Sequence, residues 1–238
     1  VSRSVLVVGV GGLGSPAAIA LARAGVETLG LADDDVVETS NLHRQILFED
    51  GDVGKDKLDA AFAGLRRWAP ESKSRIVLHR TRMLPENARE LASQYDLVVE
   101  GSDNFATKFM VADACLIERV PVVHASAVRW HGTALAVSPR GQPCYRCLFE
   151  DIPHDAVQGC SEAGVVGPVV GVVAALQVDL ALALLDGKDV AGTLVTFDGK
   201  ANEHRRRAIP RRRDCDLCSL GRIETIDTAR YVAAGASP

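Results

Sequence analysis

The sequence predicts an α/β fold whose mainly parallel sheet is continued by an antiparallel C-terminal part. Up to about Ser126, short β-branched runs alternate with longer amphipathic segments, the pattern of parallel strands covered by helices. The first such run leads into "GVGGLG", which puts Gly9, Gly11 and Gly14 at G-x-G-x-x-G spacing between a strand and a helix. A turn of that kind makes the parallel part Rossmann-like, because it aims backbone N–H groups and a helix N-terminus at phosphate. After Ala127 the pattern changes to hairpin-like runs with one long helix among them.

Taken in order, "SVLVVGV" reads as the first strand, Gly12 to Ala24 as a helix and "ETLGLAD" as the second strand. "GKDKLDAAFAGLRRWAP" is a helix stopped by Pro70, "SRIVLHR" a strand, and "PENARELASQ" a helix with Pro85 in its first turn, where a missing N–H is tolerated. "YDLVVEGSD" supplies another strand, Phe105 to Glu118 a helix and "VPVVHAS" a strand. "VRWHGTALAVSP", "GTLVTFDG" and "EHRRRAIP" then read as antiparallel strands, separated by a cysteine-rich loop and the helix Gly164 to Leu185. No linker-like composition marks the junction, so a nucleotide-binding half at residues 1–127 and an antiparallel half at 128–220 are expected to share one sheet. Residues 149–164 read as a mobile crossover loop, and 221–238 as a tail with little to anchor it.

With 238 residues and 47% hydrophobic content, the chain can bury a substantial core. A formal net charge of −4 gives no overall basic field for nucleic acid or anionic lipid. Val5 to Val10 is too short for a signal-peptide core, and Val165 to Leu185 is interrupted by Pro168, Gly171, Gln177 and Asp179, which suits a buried helix better than a membrane span. A cytoplasmic protein with no membrane or nucleic-acid partner is therefore expected. In a reducing compartment, "CYRC" (Cys144, Cys147) and "CDLC" (Cys215, Cys218) favour a four-thiolate Zn²⁺ site over disulfides. Such a site has no open position for water, so the expected metal is structural and clips the chain end to the crossover region.

The stretch "DDDVVETSNLHRQ", Asp33 to Gln45, follows the glycine turn at the distance where one carboxylate usually suffices to hold a ribose. Asp33, at the end of the second strand, takes that role. Asn41, Arg44, Gln45, Lys55 and Lys57 add more phosphate-binding capacity than a dinucleotide needs. Asp103 supplies a further acid at a C-terminal strand edge, where open α/β sheets place their ligands. Cations with a second acid suit a nucleoside triphosphate and Mg²⁺, which is commonly held by one or two carboxylates plus phosphate oxygens. An NAD-dependent oxidoreductase, raised by the glycine turn and Asp33, would need a hydride acceptor site, and no distinctive acid–base pair stands out for one.

The ordered set "GVGGLG", "DDDVVETSNLHRQ", "VGKDK", "GSDN", "CYRC", "AGVVGPVVGVVAALQ" and "CDLC" resembles the ThiF/MoeB/HesA family, bacterial relatives of the ubiquitin-activating enzymes, over about Val5 to Leu220. The resemblance implies an ATP-dependent adenylyltransferase. Its substrate would be the C-terminal Gly-Gly carboxylate of a ubiquitin-like sulfur-carrier protein, in a thiamin, molybdopterin or specialised pathway. It further implies ATP binding at Gly9, Gly11, Gly12 and Gly14, ribose binding by Asp33, triphosphate contacts from Asn41, Arg44 and Lys57, and Mg²⁺ association at Asp103. Asp35 matches the second acid of the family's D-x-D pattern, leaving Asp34 as a solvated neighbour. Arg44, Lys57 and Mg²⁺ would stabilise the departing pyrophosphate, and no general base is required because a carboxylate is already ionised at neutral pH.

The same resemblance makes residues 128–220 the carrier-binding half and implies a homodimer that pairs its long helices. Family homodimers insert an arginine into the neighbouring site from a helical segment ahead of the first strand. This sequence opens at Val1, so that arginine is expected from residues upstream or from elsewhere. Sulfur is expected from a separate donor protein rather than from a sulfurtransferase-type domain of this chain. Cys160 matches the cysteine that precedes "AGVVGP" in ThiF-like members and can be linked to the carrier terminus; a thiolate near a helix start is activated by the local dipole. The alternative for Cys160 is a loop cysteine with no catalytic duty.

Cys115, at helical spacing among apolar residues, reads as core packing. His43 reads as a surface turn residue, His124 and His131 as structural, and Trp68 and Trp130 as packing residues. The runs Arg205 to Arg207 and Arg211 to Arg213 read as a solvated or partner-facing edge. Competing functions are adenylation of another acceptor, such as a peptide natural product or a tRNA nucleoside, and a non-catalytic carrier-binding subunit.

Overall fold

The computed structural model describes residues 3–152 and 163–231. β1 (Ser4–Val8) is a run of valine and leucine with at most 3% exposure from Val5 to Val8, as expected of a strand covered on both faces. Its side chains divide by parity: Val5 and Val7 enter one core, Leu6 and Val8 the other, because successive side chains of a strand point to opposite faces. β2 (Thr28–Asp33), β3 (Arg75–Arg80), β4 (Leu97–Glu100) and β5 (Val122–Val128) join it in parallel register. At Arg129 (φ +53°) and Trp130 the chain turns back. β6 (His131–Val137), β7 (Thr193–Asp198) and β8 (Glu203–Ala208) then follow antiparallel.

The described residues make one eight-stranded sheet in the order β3-β2-β1-β4-β5-β6-β7-β8. The chain moves outward from β1 through β2 and β3, then returns to build β4 and β5 on the other side. That reversal leaves a crevice beyond the C-terminal ends of β1 and β4, where sheets of this kind take their ligands. The change of pattern expected near Ala127 is a hairpin inside this single sheet.

The helices are α1 (Gly14–Arg23), α2 (Lys57–Trp68), α3 (Ala88–Ser93), α4 (Phe105–Ile117), α5 (Tyr145–Leu148) and α6 (Gly167–Leu185). α1, α2 and α6 pack into the core on one face, and α3, α4 and α5 into the core on the other. Among the described residues, α6 is the one helix long and apolar enough to cross a membrane. It lies instead on β5, β6 and α1. Gly132 admits it, since a Cβ there would stand 2.1 Å from Val173 Cγ2. α6 begins at Gly167 rather than Gly164 because Val165 is drawn into a bridge with Arg129, with Pro168 occupying the first turn.

Up to Tyr231, the tail is better held than its composition suggests. Tyr231, in the 3₁₀ turn Thr228–Tyr231, is buried and its hydroxyl donates to Asp113 Oδ2 at 2.8 Å. Arg146 of α5 donates to the same carboxylate at 2.8 and 2.9 Å. A buried carboxylate requires such partners, so Asp113 ties both the cysteine segment and the turn Thr228–Tyr231 to α4.

Candidate active site

At the end of β1 the chain enters the glycine turn. Gly9 adopts φ +80°, and a Cβ on Gly14 would stand 1.9 Å from Gly9 O, so only glycine lets α1 begin this close to the strand. The N–H of Val10 donates to Asp33 Oδ2 at 2.7 Å, and Asp35 N donates to Asp33 Oδ1 at 3.0 Å. Beside this turn lies a cavity of about 450 Å³ whose lining includes Gly9, Gly11, Gly12, Asp33, Asp35, Asn41, Arg44, Lys57 and Asp103. Gly14 is outside the lining and serves the packing of helix on strand.

The cations reach the cavity by different routes. Lys57 opens α2 behind its N-cap Asp56, is 5% exposed, and places Nζ 2.9 Å from Asp35 Oδ2 and 3.8 Å from Asp33 Oδ1. The hydrogen bond from Lys57 outweighs burial and holds the Asp35 carboxyl below its usual range. Arg44 donates to Asn41 Oδ1 at 2.7 Å and to Ser40 O at 3.2 Å. Both acceptors are neutral, and among the described residues Arg44 has no carboxylate partner, so its charge is not internally compensated. Gln45 is buried on the cavity wall with Oε1 unpartnered. Lys55 pairs with Asp52 at 3.0 Å and lies outside the lining.

Asp103 is exposed on the loop between β4 and α4, and the next residue, Asn104, caps α4 by accepting from Thr107 N at 2.8 Å. Two neighbours went unnoticed in the sequence. Arg82 grips Asp34 through Nε at 2.7 and 2.9 Å and reaches Asp35 at 3.3 Å, so Asp34 is an ion-pair partner. Glu100, fully buried, bonds Lys108 Nζ at 2.8 Å. The pairing of β2 with β3, which sets Asp33 opposite Arg80, is what brings Arg82 near; linear spacing carries no sign of it.

The four paired cysteines converge. Cys144 Sγ lies 3.9 Å from Cys147 Sγ and 3.5 Å from Cys215 Sγ, and Cys147 Sγ lies 3.4 Å from Cys218 Sγ. Thiolates at tetrahedral Zn²⁺ distances would be about 3.8 Å apart, so the donor set fits that metal. Cys160 lies outside the described residues. Cys115 is fully buried, and burial pushes its thiol up, in keeping with a packing residue. His43 is exposed with Nδ1 3.0 Å from Ser40 O, and His131 is a surface residue 3.9 Å from Asp198.

Sheet order and glycine turn define an α/β protein with a mixed-charge crevice at the C-terminal strand ends, and a cysteine cluster that could hold zinc at its C-terminal part. Residues 1–219 match the ThiF family, and the chain belongs to it. The adenylyltransferase and sulfurtransferase uba4 of Aspergillus niger is 40% identical over 244 residues, covering 96% of this chain and 50% of that protein. The chain thus spans about half the length of this relative. The SAMP-activating enzyme E1 of Haloferax volcanii is 39% identical over 236 residues, covering 97% of this chain and 86% of that one. In fold, the chain is similar to E. coli MccB in its crystal structure with MccA-N7isoASN, with TM-score 0.79 and 20% identity over 91% of this chain and 67% of that one.

Proposed function

We propose that the chain is an ATP-dependent adenylyltransferase acting on the C-terminal Gly-Gly carboxylate of a ubiquitin-like sulfur carrier. Convergence of Arg44, Lys57, Asp33, Asp35 and Asp103 on one crevice carries this reading, and the names of the fungal and archaeal relatives support the carrier class. A carrier carboxylate oxygen attacks the α-phosphorus of ATP, the bond from that phosphorus to the bridging oxygen breaks, and pyrophosphate leaves with the electron pair. Arg44, steadied by neutral oxygens, and Lys57 meet the charge that grows on the leaving group. Asp33 receives the ribose hydroxyls, while the glycine turn and the α1 N-terminus receive phosphate. Asp103 would hold Mg²⁺, which shields phosphate charge when bound, and Asp35 stands beside it on the crevice wall, paired with Lys57.

Residues 1–127 serve as the ATP-binding half, 128–220 as the carrier-binding half with its structural Zn²⁺ at Cys144, Cys147, Cys215 and Cys218, and the sulfur donor lies outside these residues. After activation the Cys160 thiolate attacks the acyl carbon of the carrier adenylate, the bond from that carbon to the phosphate oxygen breaks, and AMP leaves with the electron pair as the thioester forms. The protein acts in the cytoplasm as a homodimer, supported by the stripe Pro168, Val172 and Ala175 that α6 leaves exposed at helical spacing. Calorimetry with Mg²⁺·ATP and with NAD tests the nucleotide assignment. Saturable ATP binding is expected, and tight NAD binding without ATP binding would overturn it.

A further inference from the structure

Glu100 ends β4 without lining the crevice, yet every polar atom of its carboxylate and carbonyl is engaged. Oε2 accepts from Lys108 Nζ at 2.8 Å and lies 3.3 Å from His124 Nδ1. Oε1 accepts from Ser102 N at 2.7 Å and from the Ser102 hydroxyl. The Glu100 carbonyl accepts from Gln177 Nε2 of α6 at 2.8 Å, and Lys108, 4% exposed, also donates to Ala125 O at 2.6 Å. A carboxylate buried this completely persists only with such partners. The network thereby fixes the strip Gly101 to Asp103, which leaves β4 and carries the Asp103 carboxylate to the crevice. The strip is also pressed against the glycine turn, since a Cβ on Gly101 would stand 3.3 Å from Gly14 N.

We propose that Glu100 and Lys108 are positioning residues that set Asp103 for the metal–nucleotide complex, with Ser102 as the link between them. This rests on the reading of Asp103 as a Mg²⁺-associated acid. Neither Glu100 nor Lys108 touches the nucleotide; both act through the backbone of residues 101–103. Ser102 gives both its N–H and its hydroxyl to Glu100; Ser102→Ala removes the hydroxyl bond alone, which loosens the strip while the N–H bond and the buried ion pair stay in place.

Calorimetry of ATP binding to the full chain, with and without Mg²⁺, tests the proposal. Ser102→Ala is expected to weaken Mg²⁺·ATP binding about tenfold, the scale of one hydrogen bond to a charged group, with metal-free ATP binding and melting temperature retained. Asp103→Ala should lose at least as much, and adding Ser102→Ala to it should lose nothing further, because both act through one carboxylate. Lys108→Arg should recover most of what Lys108→Met loses; if Lys108→Met does not fold, the Ser102–Asp103 cycle decides. Additive losses in the double variant, or wild-type Mg²⁺·ATP binding by Ser102→Ala, would overturn the positioning role alone. Absence of any Mg²⁺-dependent ATP binding by the wild type would overturn the functional reading, and this role with it.

Discussion

The main-chain N–H of Val10 and the carboxylate of Asp33 meet at 2.7 Å, both buried. The acid that closes β2 therefore braces the glycine turn from behind, and the proposed ribose and phosphate sites are one mechanical unit.

Asp33→Ala leaves the Val10 N–H buried without an acceptor. A loss of about 1–3 kcal/mol in urea unfolding is expected, with Asp33→Asn losing less because an amide oxygen can still accept. Unchanged stability of Asp33→Ala would mean that the turn holds itself.

Lys57→Met removes the buried ammonium beside Asp33 and Asp35. Binding of ATP should weaken by about tenfold or more, the scale of charge-assisted contacts, while AMP binding changes less. Equal losses for the two nucleotides would contradict a role toward the outer phosphates.

Metal analysis should find one Zn²⁺ per chain. Cys144→Ser or Cys215→Ser should lose it and lower the melting temperature sharply, because metal binding and folding are linked. Metal-free protein of undiminished stability would remove the clip.

Two buried groups shape the acid limb of stability. Burial pulls His124 below its ordinary 6.5, with Glu100 opposing in part, so the unfolded chain takes up this proton more readily and stability falls as pH drops below about 6.5. Burial alone would raise Glu100, but Lys108 and His124 hold it at about 2. Its contribution is present above the ordinary glutamate value of about 4.3 and is lost as pH falls toward 2. His124→Gln should flatten the upper step and, with Lys108 still paired to Glu100, keep a lower step that is smaller than in the wild type, as read by urea unfolding across pH. Superimposable profiles would contradict this.

The strands, the glycine turn and the cysteine tetrad were legible because their signals are local: parity, spacing and paired thiols. Asp33, Arg44, Lys57 and Asp103 stood out because each lies in a short polar stretch at a strand or helix end. Glu100 and Lys108 did not, since a charged residue inside "LVVEG" or "FATKFM" gives no sign of burial until β4, β5 and α4 are assembled. Arg82 and Tyr231 were missed for a related reason: their partners, Asp34 and Asp113, are distant in sequence.

ATP–pyrophosphate exchange measured across a panel of Gly-Gly-ended carrier proteins tests carrier adenylation most directly. Exchange is expected to depend on one carrier and on Mg²⁺, to be abolished in Asp103→Ala, and to persist in Cys160→Ala. Absence of carrier-dependent exchange from a folded, ATP-binding protein, or wild-type exchange in Asp103→Ala, would contradict it.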